Sequence, residues 1–245
     1  MRFTFRFVWK ASCFLFVVAF SNRKSGEYMG NNGGSLQWPG GTLGRHRHIC
    51  AFFNGIDEEH KVLRSFIKDG FESGDKALHI VDPDLLDEHL KLLTQAGIDV
   101  KQAMGTGQLE VRRWQEAYLR RGHFDQNAML ALIEEVLQSG AAAGYANTRL
   151  LAHMEWALLD KPGVEDLVEY ETRLNYVLPK YDDPVICTYD LSKFGASVAI
   201  DILRTHPVVI VGGVLQENPF FVPPDQFLAE LRERRSGRVS TNAAQ

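Results

Sequence analysis

From residue 48 onward, short apolar runs alternate with longer segments in which apolar residues recur every three or four positions. The first run, "HICAFF" (48–53), is apolar apart from its leading histidine and is typical of a buried β-strand. The segment after it, "DEEHKVLRSFIKDGFESG", predicts a helix that Gly70 or Gly74 can end. Its apolar residues at helical spacing are Val62, Leu63, Phe66, Ile67 and Phe71.

The same alternation continues along the chain. Further strands are predicted at "KALHIVD", "GQLEVRRW", "PVICTYDL" and "VVIVGGVLQ", the last as one strand or as a hairpin. "TRLLAHMEWAL" is interpreted as a strand running into an irregular segment, although its composition also suits a helix. Helices are predicted at "DLLDEHLKLLTQAG", "DQNAMLALIEEVLQSGAAAGY", "GVEDLVEYETRLNYVL", "SVAIDILRTH" and "PPDQFLAELRERR". Gly97 ends the first of these, Asp125 caps the second, and Pro207 ends the fourth.

Strands separated by helices of this length imply right-handed crossovers and a mainly parallel sheet covered on both faces. We therefore predict one α/β domain with three layers, α/β/α, over residues 46–235. Residues 236–245 are predicted to be a disordered tail, and residues 1–45 a disordered or signal-like N-terminal extension.

The N-terminal extension has a basic start and an apolar run from Ala11 to Phe20. A run of this length occurs in signal peptides and is too short to be assigned as a membrane span. Three interpretations stay open: an export signal, a membrane-touching anchor, or an upstream over-extension of the reading frame with Met29 nearer the true start.

Charge and cysteine content narrow the class of protein. The net charge of −4 combines +6 over residues 1–47 with −10 over the remainder. An acidic body lacks the clustered Lys and Arg that phosphate-backbone binding requires, so direct nucleic-acid binding is not expected. Three distant cysteines without a CxxC pair argue against a disulfide framework and favour a reducing compartment, so we expect a cytoplasmic protein.

Ligands of open parallel sheets collect outside the carboxyl ends of the strands. The residues predicted there make an aromatic rim with a few acids and one arginine, which suits a small, largely apolar molecule. They are Phe52, Phe53, Asn54, Val81, Asp82, Arg113, Trp114, Glu155, Trp156, Tyr189, Asp190, Gly212 and Gly213.

A phosphate-binding loop of the form GxxxxGK[ST] is absent from the sequence. The residues after the first strand include Asp57, Glu58 and Glu59, which suit a helix N-terminus but repel phosphate. ATP hydrolysis is therefore not expected, and no cofactor is predicted.

A metal site is one possible interpretation of the first strand. His48 and Cys50 share one face of that strand, and Cys187 and His206 would complete a closed zinc set if their elements were adjacent. The spacing is not diagnostic, and cysteine in a parallel strand is usually a small core residue. No metal is predicted, and His48 and Cys50 are interpreted as walls of a pocket.

Five ordered blocks, "HICAFF", "RLLAHMEWAL", "YETRLN", "CTYDLSKF" and "RTHPVVIVGGVLQENPFFVPP", resemble those of the MEDS family over residues 46–228. This sensory domain was first noted in a dichloromethane-responsive regulator and in methanogen and methylotroph signalling proteins. The resemblance implies a RecA/KaiC-like fold that lacks the phosphate loop, and the sensing of small hydrocarbon-derived ligands. It also implies a signalling partner, such as a histidine kinase or a regulator.

Carrying the blocks over residue by residue, together with the rim, gives the predicted ligand-binding set. The set is His48, Cys50, Phe52, Trp114, Arg149, Glu155, Trp156, Tyr170, Glu171, Tyr189, Asp190 and His206. The same blocks also contain Asn175 and Cys187. Structural alternatives stay open: Arg149 with Glu155 or Glu171 as a buried ion pair, and Tyr170 as a packing residue.

The sequence thus predicts a non-catalytic ligand-sensing domain of prokaryotic signal transduction or transcription regulation. The first alternative is a degenerate ATPase-like scaffold that binds other proteins. The second is an enzyme that uses Glu155 or Glu171 as a base, which requires a hydrophilic cleft around a carboxylate with a shifted pKa.

Overall fold

Strands and helices alternate along the computed structural model, which describes residues 36–38, 41–44 and 46–242. The strands are β1 (Leu36–Trp38), β2 (Gly41–Leu43), β3 (His48–Phe53), β4 (Lys76–Val81), β5 (Leu109–Arg113), β6 (Thr148–His153), β7 (Val185–Asp190), β8 (Val208–Val211) and β9 (Val214–Glu217). The helices are α1 (Ile56–Glu72), α2 (Leu86–Gln95), α3 (Val100–Thr106), α4 (Gln126–Ala142), α5 (Leu167–Val177), α6 (Ala196–Thr205) and α7 (Pro224–Asn242).

In the described part of the chain, seven strands form the main sheet in the order β5-β4-β6-β7-β3-β8-β9. All neighbours pair in parallel except β8 and β9, which form a hairpin. The predicted α/β class with a mainly parallel sheet is confirmed. β1 and β2 form a separate antiparallel pair.

The two faces of the sheet bury separate apolar clusters, as the alternation of side chains along a strand requires. Cys50 and Phe52 on β3 face the cluster built with α4, α5 and α6, which we call the α4–α6 face. Ile49, Ala51 and Phe53 face the cluster built with α1, α2 and α3, the α1–α3 face. These two faces give the predicted three layers.

Several boundaries differ from the predicted ones. Helix α3 was missed because it is short and buries only Ala103; Asp99 caps it by accepting a hydrogen bond from the Gln102 amide at 2.9 Å. The last strand region is a hairpin because Gly212 and Gly213 adopt φ of +58° and +77°, the turn that suits a two-residue loop.

The ends of the predicted domain also differ. The last helix, α7, continues to Asn242, into the segment predicted to be a disordered tail. The pair β1 and β2 lies within the predicted N-terminal extension, because two short backbone segments can pair without an apolar period. The apolar run at residues 11–20, with its signal, anchor and start-site interpretations, lies outside the described residues. Of the helices that the structure describes, none has the length and apolar character needed to cross a bilayer.

A buried ion pair ties α1 to the sheet on the α1–α3 face. The Arg149 guanidinium donates to Asp75 Oδ2 at 2.8 Å and to the Phe66 carbonyl, and its side chain lies against Gly70. A Cβ atom at position 70 would come within 2.7 Å of Arg149, so glycine is required inside the helix. The predicted ion pair of Arg149 therefore exists, but its partner is Asp75, not Glu155 or Glu171.

Removing one member of this pair should strongly destabilise the fold. We expect Asp75→Ala to lower the free energy of unfolding by about 3–5 kcal/mol, because it leaves a buried guanidinium unpaired. Urea unfolding followed by circular dichroism measures the change. Glu72→Ala is the matched control. The Glu72 side chain is 63% exposed and that of its ion-pair partner Lys68 is 50% exposed, so this pair should contribute about 0.5 kcal/mol or less to the free energy of unfolding. Equal effects of the two substitutions would contradict this account.

Candidate functional site

Four polar side chains converge in the interior of the α4–α6 face. His48 opens β3, Cys187 lies in β7, Glu171 lies on α5, and His206 follows α6. We call these residues the His48 cluster; each is at most 1% exposed. Glu171 Oε2 lies 3.0 Å from His48 Nε2, 3.2 Å from His206 Nε2 and 3.7 Å from Cys187 Sγ. Residues far apart in sequence thus form one buried centre.

Hydrogen bonds fix how the two imidazoles of the cluster are oriented. Asn175 Nδ2 donates to the carbonyls of Glu171, Thr172 and Thr205, so Asn175 Oδ1 faces His48 Nδ1 at 3.2 Å and requires a proton there. His206 Nδ1 lies 2.9 Å from the Ile202 carbonyl, which requires a proton on this nitrogen too. In their neutral forms, both rings therefore turn the lone pair of Nε2 toward Glu171.

Burial shifts the pKa values of the cluster. Burial lowers the pKa of His48 to about 4, helped by nearby His206, although Glu171 opposes the shift. Burial opposes ionisation of Glu171, but the interactions with His206 and His48 outweigh it and lower its pKa to about 2. Burial, with the charge of Glu171, raises the pKa of the Cys187 thiol. At neutral pH, the cluster thus buries a carboxylate beside a neutral imidazole.

Of the predicted pair of His48 and Cys50, only His48 belongs to the cluster. Cys50 lies beside Cys187 in the register of β3 and β7, but its Sγ contacts the Val208 carbonyl at 3.8 Å. Cys187, which is not in the predicted ligand-binding set, is the thiol that lies within the cluster. Which of the two thiols lies near Glu171 depends on how the strands pair, and it could not be predicted from the spacing of residues along the sequence.

The predicted aromatic residues pack together in the core and do not form an open rim. The side chains of Phe52, Trp114, Trp156, Tyr170 and Tyr189 are between 0% and 7% exposed. The short 3-10 helix at Glu155–Leu158 begins directly after β6, and Trp156 within it stacks on Tyr118 with ring centroids 4.6 Å apart. The expected open, apolar rim is therefore incorrect for this structure, because these rings fill the space beneath the edge.

Two of these rings carry polar atoms without partners. Trp156 Nε1 and Tyr189 Oη are buried, and neither has a hydrogen-bond partner among the described residues. By contrast, Trp114 Nε1 donates to the His153 carbonyl at 3.0 Å. A buried donor without a partner costs about 1–3 kcal/mol, so each of these two atoms requires an explanation, such as an ordered water or another bound molecule.

A small cleft lies at the carboxyl ends of β3, β6 and β7. Its volume of about 20 Å³ is enough for one water molecule. β3 leads into α1 on one face and β7 into α6 on the other, so the cleft lies where the chain changes faces, a usual place for ligands. We call it the edge cleft; its lining is Phe53, Gly55, Ile56, Glu59, Leu85, His153, Glu155, Asp190 and Lys193.

The edge cleft is acidic. Glu59 Oε1 lies 3.0 Å from His153 Nε2, and Glu155 accepts a hydrogen bond from the Asp190 amide at 2.9 Å. Burial raises the pKa of Glu155, although His153 opposes this shift. Of these residues, Glu155 and Asp190 were predicted, whereas Glu59 and His153 were missed. The signal for His153 was its position at the end of a predicted strand.

A chain of three histidines lies on the α1–α3 face and was not predicted. His89 is central, with Nδ1 3.1 Å from His60 Nε2 and Nε2 2.8 Å from His79 Nδ1. Burial lowers the pKa of all three, that of His79 to about 3. Arg149 lies on this same face, so the structure does not bring it together with the His48 cluster.

Comparisons with known proteins identify a family. The model of the family described as "MEthanogen/methylotroph, DcmR Sensory domain" (MEDS) matches residues 47–207. The transcriptional repressor DcmR of Methylorubrum extorquens (strain DSM 6343 / CIP 106787 / DM4) is 29% identical over 178 residues, which are 71% of this chain and 63% of the repressor. The chain thus spans less than two thirds of the length of this relative. A KaiC-like protein from Pyrococcus horikoshii OT3 aligns over 67% of this chain and 70% of its own, with 15% identity and a TM-score of 0.44.

The histidine chain should make stability fall in acid. The unfolded chain titrates His79 and His89 near 6.5, whereas their folded pKa values are lower, so below pH 6.5 the unfolded state binds more protons. We expect His79 to remove up to about 1.4 kcal/mol of unfolding free energy per pH unit as the pH falls from 6.5 toward about 3, and His89 to act in the same direction below pH 6.5. His153 acts in the opposite direction. Burial alone would lower its pKa, but the nearby Glu59 carboxylate outweighs burial and raises it, so the contribution of His153 to stability is lost as the pH rises through its folded pKa.

Urea unfolding at pH 7, 6 and 5 measures this dependence. The variant His79→Leu should reduce the loss of stability between pH 7 and pH 5, whatever its effect at pH 7. His46→Gln, at an exposed position, should leave the slope unchanged. A wild-type protein equally stable at all three pH values would refute the assignment.

Proposed function

The chain belongs to the MEDS family of sensory domains, and on that basis we propose that it acts as a non-catalytic ligand-sensing domain in prokaryotic signal transduction or transcription regulation. Its similarity to a transcriptional repressor supports the regulatory part of this proposal. The proposed sensory domain takes in residues 46–235. Cytoplasmic location is part of the proposal, since Cys50 and Cys187 are free thiols on adjacent strands.

The proposed ligand is a small hydrocarbon-derived molecule that enters at the edge cleft and reaches the rings of Trp156 and Tyr189, which are next in sequence to two lining residues. The observation that carries this proposal is the pair of unpartnered atoms, Trp156 Nε1 and Tyr189 Oη. Trp156 follows the lining residue Glu155, and Tyr189 precedes the lining residue Asp190. A ligand with one polar atom would accept or donate hydrogen bonds there, while its apolar part would contact the aromatic faces.

The size of the edge cleft makes binding depend on a rearrangement. A space for one water molecule cannot admit even a one-carbon halide or alcohol unless a ring moves. Tyr189 packs on Phe194 with ring centroids 5.2 Å apart, and Phe194 lies in the segment that leads into α6. Displacement of Tyr189 by a ligand would therefore be felt at α6, and differential binding to the two arrangements would supply the signal.

From α6 the signal has a physical route to the surface. Arg204 near the end of α6 forms an ion pair with Glu230 of α7 and lies over the Phe227 ring at 4.3 Å. We propose that a signalling protein, such as a histidine kinase or a regulator, responds to this change. Direct nucleic-acid binding by the domain is not part of the proposal.

The charge of the edge cleft argues against nucleotides as ligands. Helix N-termini attract anions, but the start of α1 carries Asp57, Glu58 and Glu59, and Glu59 lines the cleft. Together with Glu155 and Asp190, these carboxylates would repel a triphosphate. We therefore propose that the domain does not hydrolyse ATP.

Thermal-shift and calorimetric titrations with small halogenated hydrocarbons and small alcohols test the proposal. We expect one or more to raise the melting temperature of the wild-type chain, and ATP with Mg²⁺ to leave it unchanged. Tyr189→Phe keeps the ring and removes the hydroxyl, so it should weaken binding of an oxygen-containing ligand about 10-fold. Tyr176→Phe, at an exposed tyrosine of α5, is the matched control. A melting temperature that rises with ATP and Mg²⁺ but with none of the hydrocarbons or alcohols would reject the proposal.

A second candidate function is favoured by one observation. Burial raises the pKa of Glu155 in a polar cleft beside His153, as the carboxylate-based enzyme alternative requires. The two functions differ in the fate of the bound molecule. Proton NMR of a stabilising ligand, recorded before and after incubation with the protein, shows consumption only if the domain is an enzyme.

A further inference from the structure

We propose that the His48 cluster binds one divalent transition-metal ion, for which zinc is the best match, and that the ion has a structural role. The ligands are His48 Nε2, Glu171 Oε2, Cys187 Sγ and His206 Nε2, which all lie within 4.8 Å of one another. This inference goes beyond small-molecule sensing and does not depend on it.

Four of the separations among these atoms are close to those of a tetrahedral ligand set. Zinc bonds of about 2.0–2.3 Å to nitrogen, oxygen and sulfur place neighbouring ligand atoms about 3.3–3.8 Å apart. The observed separations from Glu171 Oε2 are 3.0 Å to His48 Nε2, 3.2 Å to His206 Nε2 and 3.7 Å to Cys187 Sγ. Cys187 Sγ and His48 Nε2 are 4.0 Å apart. Shifts of a few tenths of an ångström would bring these four separations into the tetrahedral range, and all of the ligand atoms already lie within 4.8 Å of one another.

The hydrogen bonds outside the cluster are those that metal-ligating histidines usually make. A ligating imidazole donates its other N–H group to an oxygen, which fixes the ring and leaves the second nitrogen free for the ion. Asn175 Oδ1 serves His48 in this way, and the Ile202 carbonyl serves His206. Two imidazole lone pairs then point at one carboxylate oxygen, an arrangement that repels unless a proton or a metal cation lies between them.

Unpartnered atoms provide an independent second observation. His206 Nε2 lies 3.2 Å from Glu171 Oε2 without forming a hydrogen bond to it, and within the described part of the chain neither His206 Nε2 nor Glu171 Oε1 has a hydrogen-bond partner. Both residues are 0% exposed, so water does not satisfy these atoms from outside. A bound cation would satisfy His206 Nε2 directly and compensate the buried carboxylate charge.

The chemistry of the donor set selects the class of ion. Two imidazoles and a thiol beside one carboxylate suit zinc, cobalt and similar ions, whereas calcium and magnesium prefer oxygen ligands alone. Four protein ligands leave no open position, which is the pattern of a structural site. Such an ion would join β3, β7, α5 and the end of α6 and would add its binding free energy to the stability of the fold.

Metal loading of the full-length chain tests the proposal. The protein is unfolded in the presence of a chelator and refolded with Zn²⁺ or with Co²⁺. After desalting, the bound metal is measured by inductively coupled plasma mass spectrometry. We expect one ion per chain. The cobalt form should show a thiolate-to-cobalt charge-transfer band and the intense visible bands of a tetrahedral site, and zinc should raise the melting temperature.

Cys187→Ser and Cys50→Ser form a matched pair of variants. Both remove a buried thiol from neighbouring strands, in register with each other, but only Cys187 belongs to the cluster. We expect Cys187→Ser to lose the charge-transfer band and the bound ion, and Cys50→Ser to keep both. Should Cys187→Ser fail to fold, the stoichiometry and spectrum of the wild-type chain still decide. A wild-type chain that refolds without retaining any ion, a cobalt form without the thiolate band, or equal loss in both variants would overturn the proposal.

Discussion

The parallel pairing of β3 with β7 holds the two polar sites of this domain at opposite ends of the same two strands. Its register sets His48 beside Val185 and Phe53 beside Asp190. The His48 cluster therefore forms near the amino end of the pair, and the edge cleft forms at its carboxyl end. Side chains that alternate along a strand also settle which residues reach the α4–α6 face. A slip of one residue would turn His48, if β3 shifted, or Cys187, if β7 shifted, away from Glu171 and would dismantle the buried centre.

The order of strands and helices could be predicted from the sequence because each depends on local periodicity. "HICAFF" is buried throughout, as its composition indicates, and Asp125 caps α4 through the amides of Asn127 and Ala128. Helix α3 could not be predicted in the same way, since it buries too little to leave a pattern. The family resemblance supplied residues that periodicity does not mark, Glu171 and His206 among them.

The partners of the polar residues could not be predicted, because they depend on contacts between distant parts of the chain. Asp75 and Arg149 are 74 positions apart, and His48 and Glu171 are 123 apart. The prediction of an open aromatic rim was wrong for a different reason. Their positions at strand ends were correct, but Trp156 lies in a 3-10 turn that packs it against Tyr118 and Phe124. Sequence gives the end of a strand and does not give the direction of the residue that follows it.

The position of β3 inside the sheet, between β7 and β8, has a consequence for the order in which this domain can assemble. Its neighbours, β7 and β8, are made from segments more than 130 residues later in the chain. During synthesis β3 emerges before either of them, and both of its backbone edges stay unpaired until almost the whole domain has left the ribosome. Long-range pairing of this kind folds slowly and exposes aggregation-prone strands meanwhile. The domain is therefore expected to need protection by chaperones early in its synthesis.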